Sequence, residues 1–130
     1  MTKKIITVFK ELGFTLQKFE KDVYIFNYEG VKFVYRKDSD DERFLQIGMP
    51  LEQCDDTTDK HKLANEMNIR LKYVKTFVFK DNLWVIYERM VKTDEDMASV
   101  VKNIVVCLAE SMHFYLDLMK CDTKASDEIN

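Results

Sequence analysis

Cysteine and histidine are the residues of this chain that could form a nucleophilic or metal-binding site. The three cysteines lie at positions 54, 107 and 121 and the two histidines at 61 and 113, and no CxxC, HxxxH or HExxH spacing joins them. On a helical wheel, Cys107 and His113 fall on opposite sides of the last predicted helix, so they do not form a nucleophile–base pair. The pattern predicts no catalytic residue and no metal site.

Acidic residues and glycines give no ligand site either. The acidic run between positions 52 and 59 lacks the spacing of a calcium-binding loop, and we expect residues 55–59 to begin a helix. The three glycines are too far apart for a phosphate-binding loop. A net charge of −3 argues against nucleic-acid binding, despite the basic stretch from Lys60 to Lys80. We therefore expect no enzymatic activity, no cofactor and no nucleic-acid partner.

Asn65 and Asn68 are the polar pair that needs an explanation. They lie three residues apart on a predicted helix, on one flank of its apolar stripe, although asparagine is a poor helix former. Their amides could satisfy backbone groups at a sheet edge or an adjoining turn, or they could contact a partner. The sequence leaves both interpretations open.

Length and composition predict one cytoplasmic domain. The chain has 130 residues, and charged Lys10 and Glu11 interrupt the amino terminus before the apolar region of a signal peptide could develop. We expect no stretch of membrane-spanning length and no contact with a membrane. The odd number of cysteines fits thiols in a reducing compartment. Residues 1–120 are predicted to form a single α+β domain, and residues 121–130 a polar C-terminal tail.

The first half of the chain predicts a helix followed by antiparallel strands. Glu29 and Gly30 suit a two-residue hairpin turn, which places Phe26 opposite Phe33 and makes this aromatic face part of the core. The predicted elements are a helix over 3–12 ended by Gly13, a first strand over 14–19, hairpin strands over 23–28 and 31–37, and a strand over 43–50 ended by Pro50.

The second half predicts a helix, a second hairpin and a long helix. A buried stripe marks the first of these helices, and the hairpin turn is placed at Asp81-Asn82, which sets Phe79 against Trp84 and Phe77 against Ile86. The buried stripe consists of Leu63, Ala64, Met67 and Leu71. The long helix is predicted to begin at Thr93 and to end near residue 120.

The apolar arc of this long helix spans about 200°, against about 100° for a helix with one buried face. Val105, Ala109 and Leu116 widen the arc on one side. We expect a second surface to cover this side, supplied either by the first helix or by a second subunit.

The segment ANEMNIRLKYVKTFVFKDNLWV, residues 64–85, followed by a long helix, resembles the YbjN-like family of bacterial proteins, which shares the fold of type III secretion chaperones. The resemblance covers residues 62–90 in residue pattern and most of the chain in element order. It implies a five-stranded antiparallel sheet packed against helices, in the order α-β-β-β-α-β-β-α. It also implies a frequently dimeric protein without known catalysis. Asn65 and Asn68 match the family's paired asparagines.

The leading functional hypothesis is a non-enzymatic protein-binding module, chaperone-like or regulatory, that binds a protein or peptide and forms a homodimer. The alternative is a small-ligand binder or an enzyme whose site is assembled from dispersed residues. The candidate partner-binding or dimer residues are Asn65, Asn68, Trp84, Val105, Ala109 and Leu116.

Overall fold

A computed structural model describes residues 5–51 and 59–129, with side chains described as far as residue 120. Three helices and six strands occupy this part of the chain. They are α1 (Ile5–Glu11), β1 (Gln17–Glu20), β2 (Val23–Tyr28), β3 (Val31–Lys37), β4 (Phe44–Leu51), α2 (Lys60–Arg70), β5 (Val74–Phe79), β6 (Asn82–Met90) and α3 (Met97–Ile129). The strands form one antiparallel sheet in the order β1-β2-β3-β4-β6-β5.

The predicted α+β class with an antiparallel sheet is confirmed, but the five-stranded order is wrong. Four strands precede α2, because β1 adds to the edge of the sheet beside β2. All four residues of β1 are exposed, and its pairing with β2 shifts register between Lys18 and Glu20. The first strand expected over 14–19 is present as β1, although it begins later, at Gln17. A short strand with no buried face gives no alternation of apolar and polar residues, so sequence periodicity defines its bounds only weakly.

Helix α1 ends as its sequence predicts. Gly13 adopts φ 86°, its N–H donates to the Lys10 carbonyl at 3.0 Å, and the Phe14 N–H donates to the Phe9 carbonyl at 3.0 Å. These two bonds form a Schellman motif, which needs a left-handed residue that glycine supplies without strain. The cap turns the chain back, so that Phe14 packs beside Phe26 with ring centroids 5.1 Å apart.

The first hairpin has the predicted register. Phe26 lies opposite Phe33, with their rings stacked 5.2 Å apart, and Tyr24 lies opposite Tyr35. Phe26, Phe33 and Tyr35 are fully buried, which confirms that this aromatic face belongs to the core.

Strand β4 continues through Pro50 to Leu51, whereas we expected Pro50 to end it. The pairing of β3 with β4 stops at Gly48, so β4 has a neighbouring strand on one side only where Pro50 lies. A proline is tolerated at such a position because its missing N–H removes no hydrogen bond from that side of the sheet.

The second hairpin turns one residue earlier than predicted. Lys80 and Asp81 form the turn, with φ values of 50° and 65°, and Asn82 already belongs to β6. Phe77 therefore pairs with Trp84, and the predicted register is wrong by two residues. Two positive φ values in succession define a type I′ turn, whose twist matches that of the flanking strands. Because side chains alternate with a period of two, the shift leaves each side chain on its predicted face.

Helix α3 begins at Met97 rather than at Thr93. Glu95 closes a turn before the helix, accepting a hydrogen bond from the Lys92 N–H at 2.9 Å and another from Arg89. The helix then continues to Ile129, past the predicted end near residue 120. Contrary to the expectation of no stretch of membrane-spanning length, Met97–Lys120 is long and apolar enough to cross a membrane, although helices in the cores of soluble proteins pass the same test.

The described helices cover one face of the sheet. Helix α3 packs on β4 and β6 and contacts α1, and α2 packs on β5. The core contains the side chains of β2, β3, β4 and β6 that point toward these helices, together with the inner faces of α1 and α3. The opposite face of the sheet, which we name the open face, is not covered by any element of the described chain.

Candidate binding surface on the open face

The open face presents an apolar band across five strands. Its side chains alternate with those of the core, and the strand registers place them in adjacent rows. The apolar members of the band are Ile25, Val34, Gly48, Pro50, Phe77, Phe79, Trp84 and Ile86. Several of them line a shallow depression of about 470 Å³, with Arg36 and Gln46 at its polar end. The surface is therefore concave and apolar, with a polar margin.

Gly48 makes the centre of this surface low. A Cβ atom at position 48 would lie 2.9 Å from Cγ1 of Ile86 and 3.0 Å from the carbonyl oxygen of Val85. Ile86, which pairs with Gly48 across the strands, consequently lies over the glycine backbone. Glycine is required here by the close approach of a neighbouring side chain, since its own φ is not in the left-handed region.

Charged residues of both signs flank the band. Arg36, Gln46 and Glu88 lie in one row, on β3, β4 and β6 respectively. Glu88 forms an ion pair with Lys75 of β5, and its side chain is 26% exposed. Arg36 has no ion-pair partner within the described part of the chain. One row thus carries a positive charge on one side of β4 and a negative charge on the other.

The structure does not bring the predicted partner-binding residues together. Trp84 lies on the open face, paired with Phe77 and Pro50. Val105 is 1% exposed and belongs to the core, while Ala109 and Leu116 are partly buried on α3. Val105 lines a small cleft beside Leu12, just past the end of α1, so α1 and its following loop supply cover for this side of α3. A second subunit is not needed to bury Val105.

Asn68 anchors α2 to the edge strand β5. Its side-chain NH₂ donates to the Thr76 carbonyl at 3.0 Å, and its side-chain oxygen accepts from the Thr76 N–H at 2.8 Å. The Thr76 hydroxyl in turn donates to the Ala64 carbonyl at 2.6 Å. Asn68 therefore satisfies backbone groups at the sheet edge, as one of the two interpretations predicted. Asn65 is exposed on the same helix and makes no hydrogen bond within the described part of the chain.

The two edges of the sheet consequently differ. The free edge of β5 is occupied at Thr76 by Asn68, which reduces the room for an added strand. The other edge, β1, is short and carries Lys18 and Glu20 around Phe19, which is 69% exposed. Short, charged edges discourage strand addition. Neither edge offers as large a surface as the open face.

The described cysteine does not have the properties of a catalytic nucleophile. Cys107 is partly buried, and burial raises the pKa of its thiol, so the reactive thiolate is disfavoured at neutral pH. His113 is exposed on another side of α3. Within residues 5–51 and 59–120, no three His, Cys, Asp or Glu side chains are grouped in a way that could hold a metal ion.

No protein-family model matches this chain, and no curated protein matches it. The resemblance to the YbjN-like family stays a prediction from residue pattern.

Sequence reasoning identified Trp84 but not the surface around it. Val34, Phe77 and Ile86 alternate with core residues in strands that are apolar on both faces. Strands of this kind are typical of a sheet that is covered on both sides. The presence of apolar residues on both faces of these strands was the feature of the sequence that indicated a second buried or binding face.

Proposed function

We propose that this chain is a non-enzymatic protein-binding module, chaperone-like or regulatory, whose binding surface is the open face. The apolar band across β2, β3, β4, β6 and β5, uncovered by any described element, carries the proposal. Contiguous exposed apolar patches are rare on isolated soluble domains and usually mark interaction sites.

The composition of the band supports a protein partner. Aromatic residues are enriched at the centres of protein interfaces, and Phe77, Phe79 and Trp84 lie together at one end of the band. Fully burying a large apolar side chain contributes about 1.5–3 kcal/mol, so three of them provide the energetic centre of an interface. The depression also falls in the size range of small-ligand sites, which makes a small apolar ligand the competing occupant.

Photo-crosslinking in living cells distinguishes these occupants. We would place p-benzoylphenylalanine at Phe77 and, as a matched control, at Ile69, an apolar residue of α2 that is 69% exposed but lies off the open face. We expect polypeptide adducts at position 77 and not at position 69. An adduct of small mass at position 77 would favour the ligand alternative. Equal labelling at both positions, or none at position 77, would refute the proposal.

A further inference from the structure

We propose that a second surface of this chain binds a small molecule in which a planar aromatic ring carries a carboxylate or a phosphate group. The surface is a cleft of about 490 Å³ where the end of α2, strand β6 and helix α3 meet. We name it the Tyr73 cleft, and its lining includes Arg70, Lys72, Tyr73, Tyr87, Asn103 and Glu110. A cleft of this volume lies within the range of small-ligand sites.

The Tyr73 cleft lies on the helix side of the sheet. Tyr87 pairs across the strands with buried Ile47, and side chains of paired residues point to the same face of a sheet. On α3, Asn103, Cys107 and Glu110 follow one another at intervals of four and three residues, so they lie along one side of the helix. The cleft is therefore separate from the open face, and this inference does not rest on the proposed function.

Tyr73 has a backbone conformation that tyrosine rarely adopts. Its φ is 71°, in the left-handed region, where a bulky side chain is strained. Its ring stacks on that of Tyr87, with centroids 6.2 Å apart and planes 22° apart, yet Tyr73 is 78% exposed. Glycine or asparagine would fit this position with less strain. Strained residues concentrate at ligand sites, and this one presents an accessible aromatic ring at the cleft.

Positive charge lies on the same side of the cleft as this ring. Lys72 precedes Tyr73 in the chain and has no ion-pair partner within the described residues. Arg70 contacts Glu66 through its Nε at 3.5 Å, and its side chain is 60% exposed. The terminal nitrogens of Arg70 carry further N–H donors, and a guanidinium binds carboxylates and phosphates in a two-bond fork. These two side chains favour an anionic group on the ligand.

The remaining groups of the cleft favour a planar ligand with a hydrogen-bond donor. Planar rings stack on tyrosine with centroids about 4.5–7 Å apart, and the exposed ring of Tyr73 is available for such a contact. Glu110 on α3 is exposed and accepts hydrogen bonds, and the Asn103 amide both donates and accepts them. A ring with an acidic group at one end and an amino group at the other matches both walls of the cleft.

Titration followed by nitrogen-15 NMR tests the inference on the full 15.5 kDa chain. The probes are adenosine monophosphate and para-aminobenzoate, and their uncharged counterparts are adenosine and para-aminobenzamide. We expect at least one anionic probe to cause saturable shifts confined to amides of the Tyr73 cleft. Its uncharged counterpart should bind at least about tenfold more weakly, because charge-assisted hydrogen bonds are the stronger ones. Binding of one probe alone identifies the anionic group as phosphate or carboxylate.

Substitution of Tyr73 tests the role of its ring. Tyr73→Asn removes the ring but suits a left-handed backbone, so the variant should fold, as circular dichroism would check. The affinity for the anionic probe should fall at least about tenfold, since a stacking contact on an aromatic side chain is worth that factor or more. Tyr73→Phe retains the ring and should bind at least about fivefold more tightly than Tyr73→Asn.

A pair of charge reversals tests the role of Lys72. Lys72→Glu should weaken binding of the anionic probe at least about fivefold and leave binding of the uncharged counterpart unchanged, because it places like charges together. Lys62→Glu is the matched control, since it makes the same change of charge at an exposed position in the first turn of α2, outside the cleft. It should leave both affinities unchanged.

Several results would overturn the inference. They are the absence of saturable shifts with both anionic probes, shifts centred on the open face, equal affinity for the uncharged counterparts, and wild-type affinity in Tyr73→Asn or in Lys72→Glu. None of these results bears on the proposed function, which is decided separately by polypeptide crosslinking at position 77.

Discussion

Replacement of Asn68 by alanine should destabilise the protein because it removes the clamp between α2 and β5. The amide makes two hydrogen bonds to the backbone of Thr76, one as donor at 3.0 Å and one as acceptor at 2.8 Å. Thr76 is 5% exposed and lies on the outer strand of the sheet. Loss of the amide leaves a backbone N–H and a backbone carbonyl without their side-chain partner.

The magnitude follows from two opposing terms. Two intramolecular hydrogen bonds contribute about 1–3 kcal/mol together. Alanine is a better helix former than asparagine by about 0.6 kcal/mol, which offsets part of this loss. The free energy of unfolding should therefore fall by about 0.4–2.4 kcal/mol, and the melting temperature by about 1–9 °C.

Asn65→Ala is the matched control, since Asn65 lies one turn earlier on α2 and is exposed. It gains the same helix propensity without losing a hydrogen bond, so it should be neutral or stabilising by about 0.5 kcal/mol. Urea unfolding followed by the fluorescence of Trp84, the chain's single tryptophan, measures both variants at one protein concentration. Equal stability of the two variants would refute the clamp.

Two further substitutions test buried and turn positions. The Tyr35 hydroxyl is buried without a hydrogen-bond partner in the described chain, so Tyr35→Phe should raise the free energy of unfolding by about 1 kcal/mol. A melting temperature of Tyr35→Phe below that of the wild type would show instead that the hydroxyl makes a hydrogen bond. Burial raises the pKa of Tyr35 well above its usual value, so the unfolded chain loses this proton first. The wild type should therefore lose stability above about pH 10, and part of that loss should be absent in Tyr35→Phe. Changing Lys80 to Asn and Asp81 to Gly together should stabilise the type I′ turn by about 1 kcal/mol in urea unfolding, and an unchanged midpoint would argue against this turn type.

Much of the secondary structure was predictable because its determinants are local. The register of the aromatic hairpin follows from Glu29 and Gly30, and both adopt the positive φ that such a turn needs. Asp59, within the predicted acidic start of α2, accepts a hydrogen bond from the Lys62 N–H at 3.1 Å and caps the helix. The other residues of that predicted start, 55–58, lie outside the described residues. Caps and turns of this kind depend on residues within a few positions of one another.

The second hairpin shows where local reasoning fails. Asn82 is a common turn residue, but the turn uses Lys80 and Asp81, and the Asp81 carbonyl also accepts a hydrogen bond from Lys60 at the start of α2 at 2.6 Å. Asp81 and Asn82 are both residue types that tolerate positive φ, so residue type alone does not decide which pair of positions forms the turn. The observed turn at Lys80-Asp81 also contacts a distant part of the chain, through the hydrogen bond from Lys60.

The sequence by itself determined the class of fold, the aromatic core hairpin and the long apolar helix, because periodicity and capping are written in neighbouring residues. Tertiary structure decided which strand lies beside β4, how Asn68 is used and which side of α3 is covered. It also decided that Trp84 shares the open face with Val34 and Ile86, and that Arg36 and Glu88 flank β4. These relations join residues far apart in the chain, and side-chain spacing along the chain does not specify how distant strands pair.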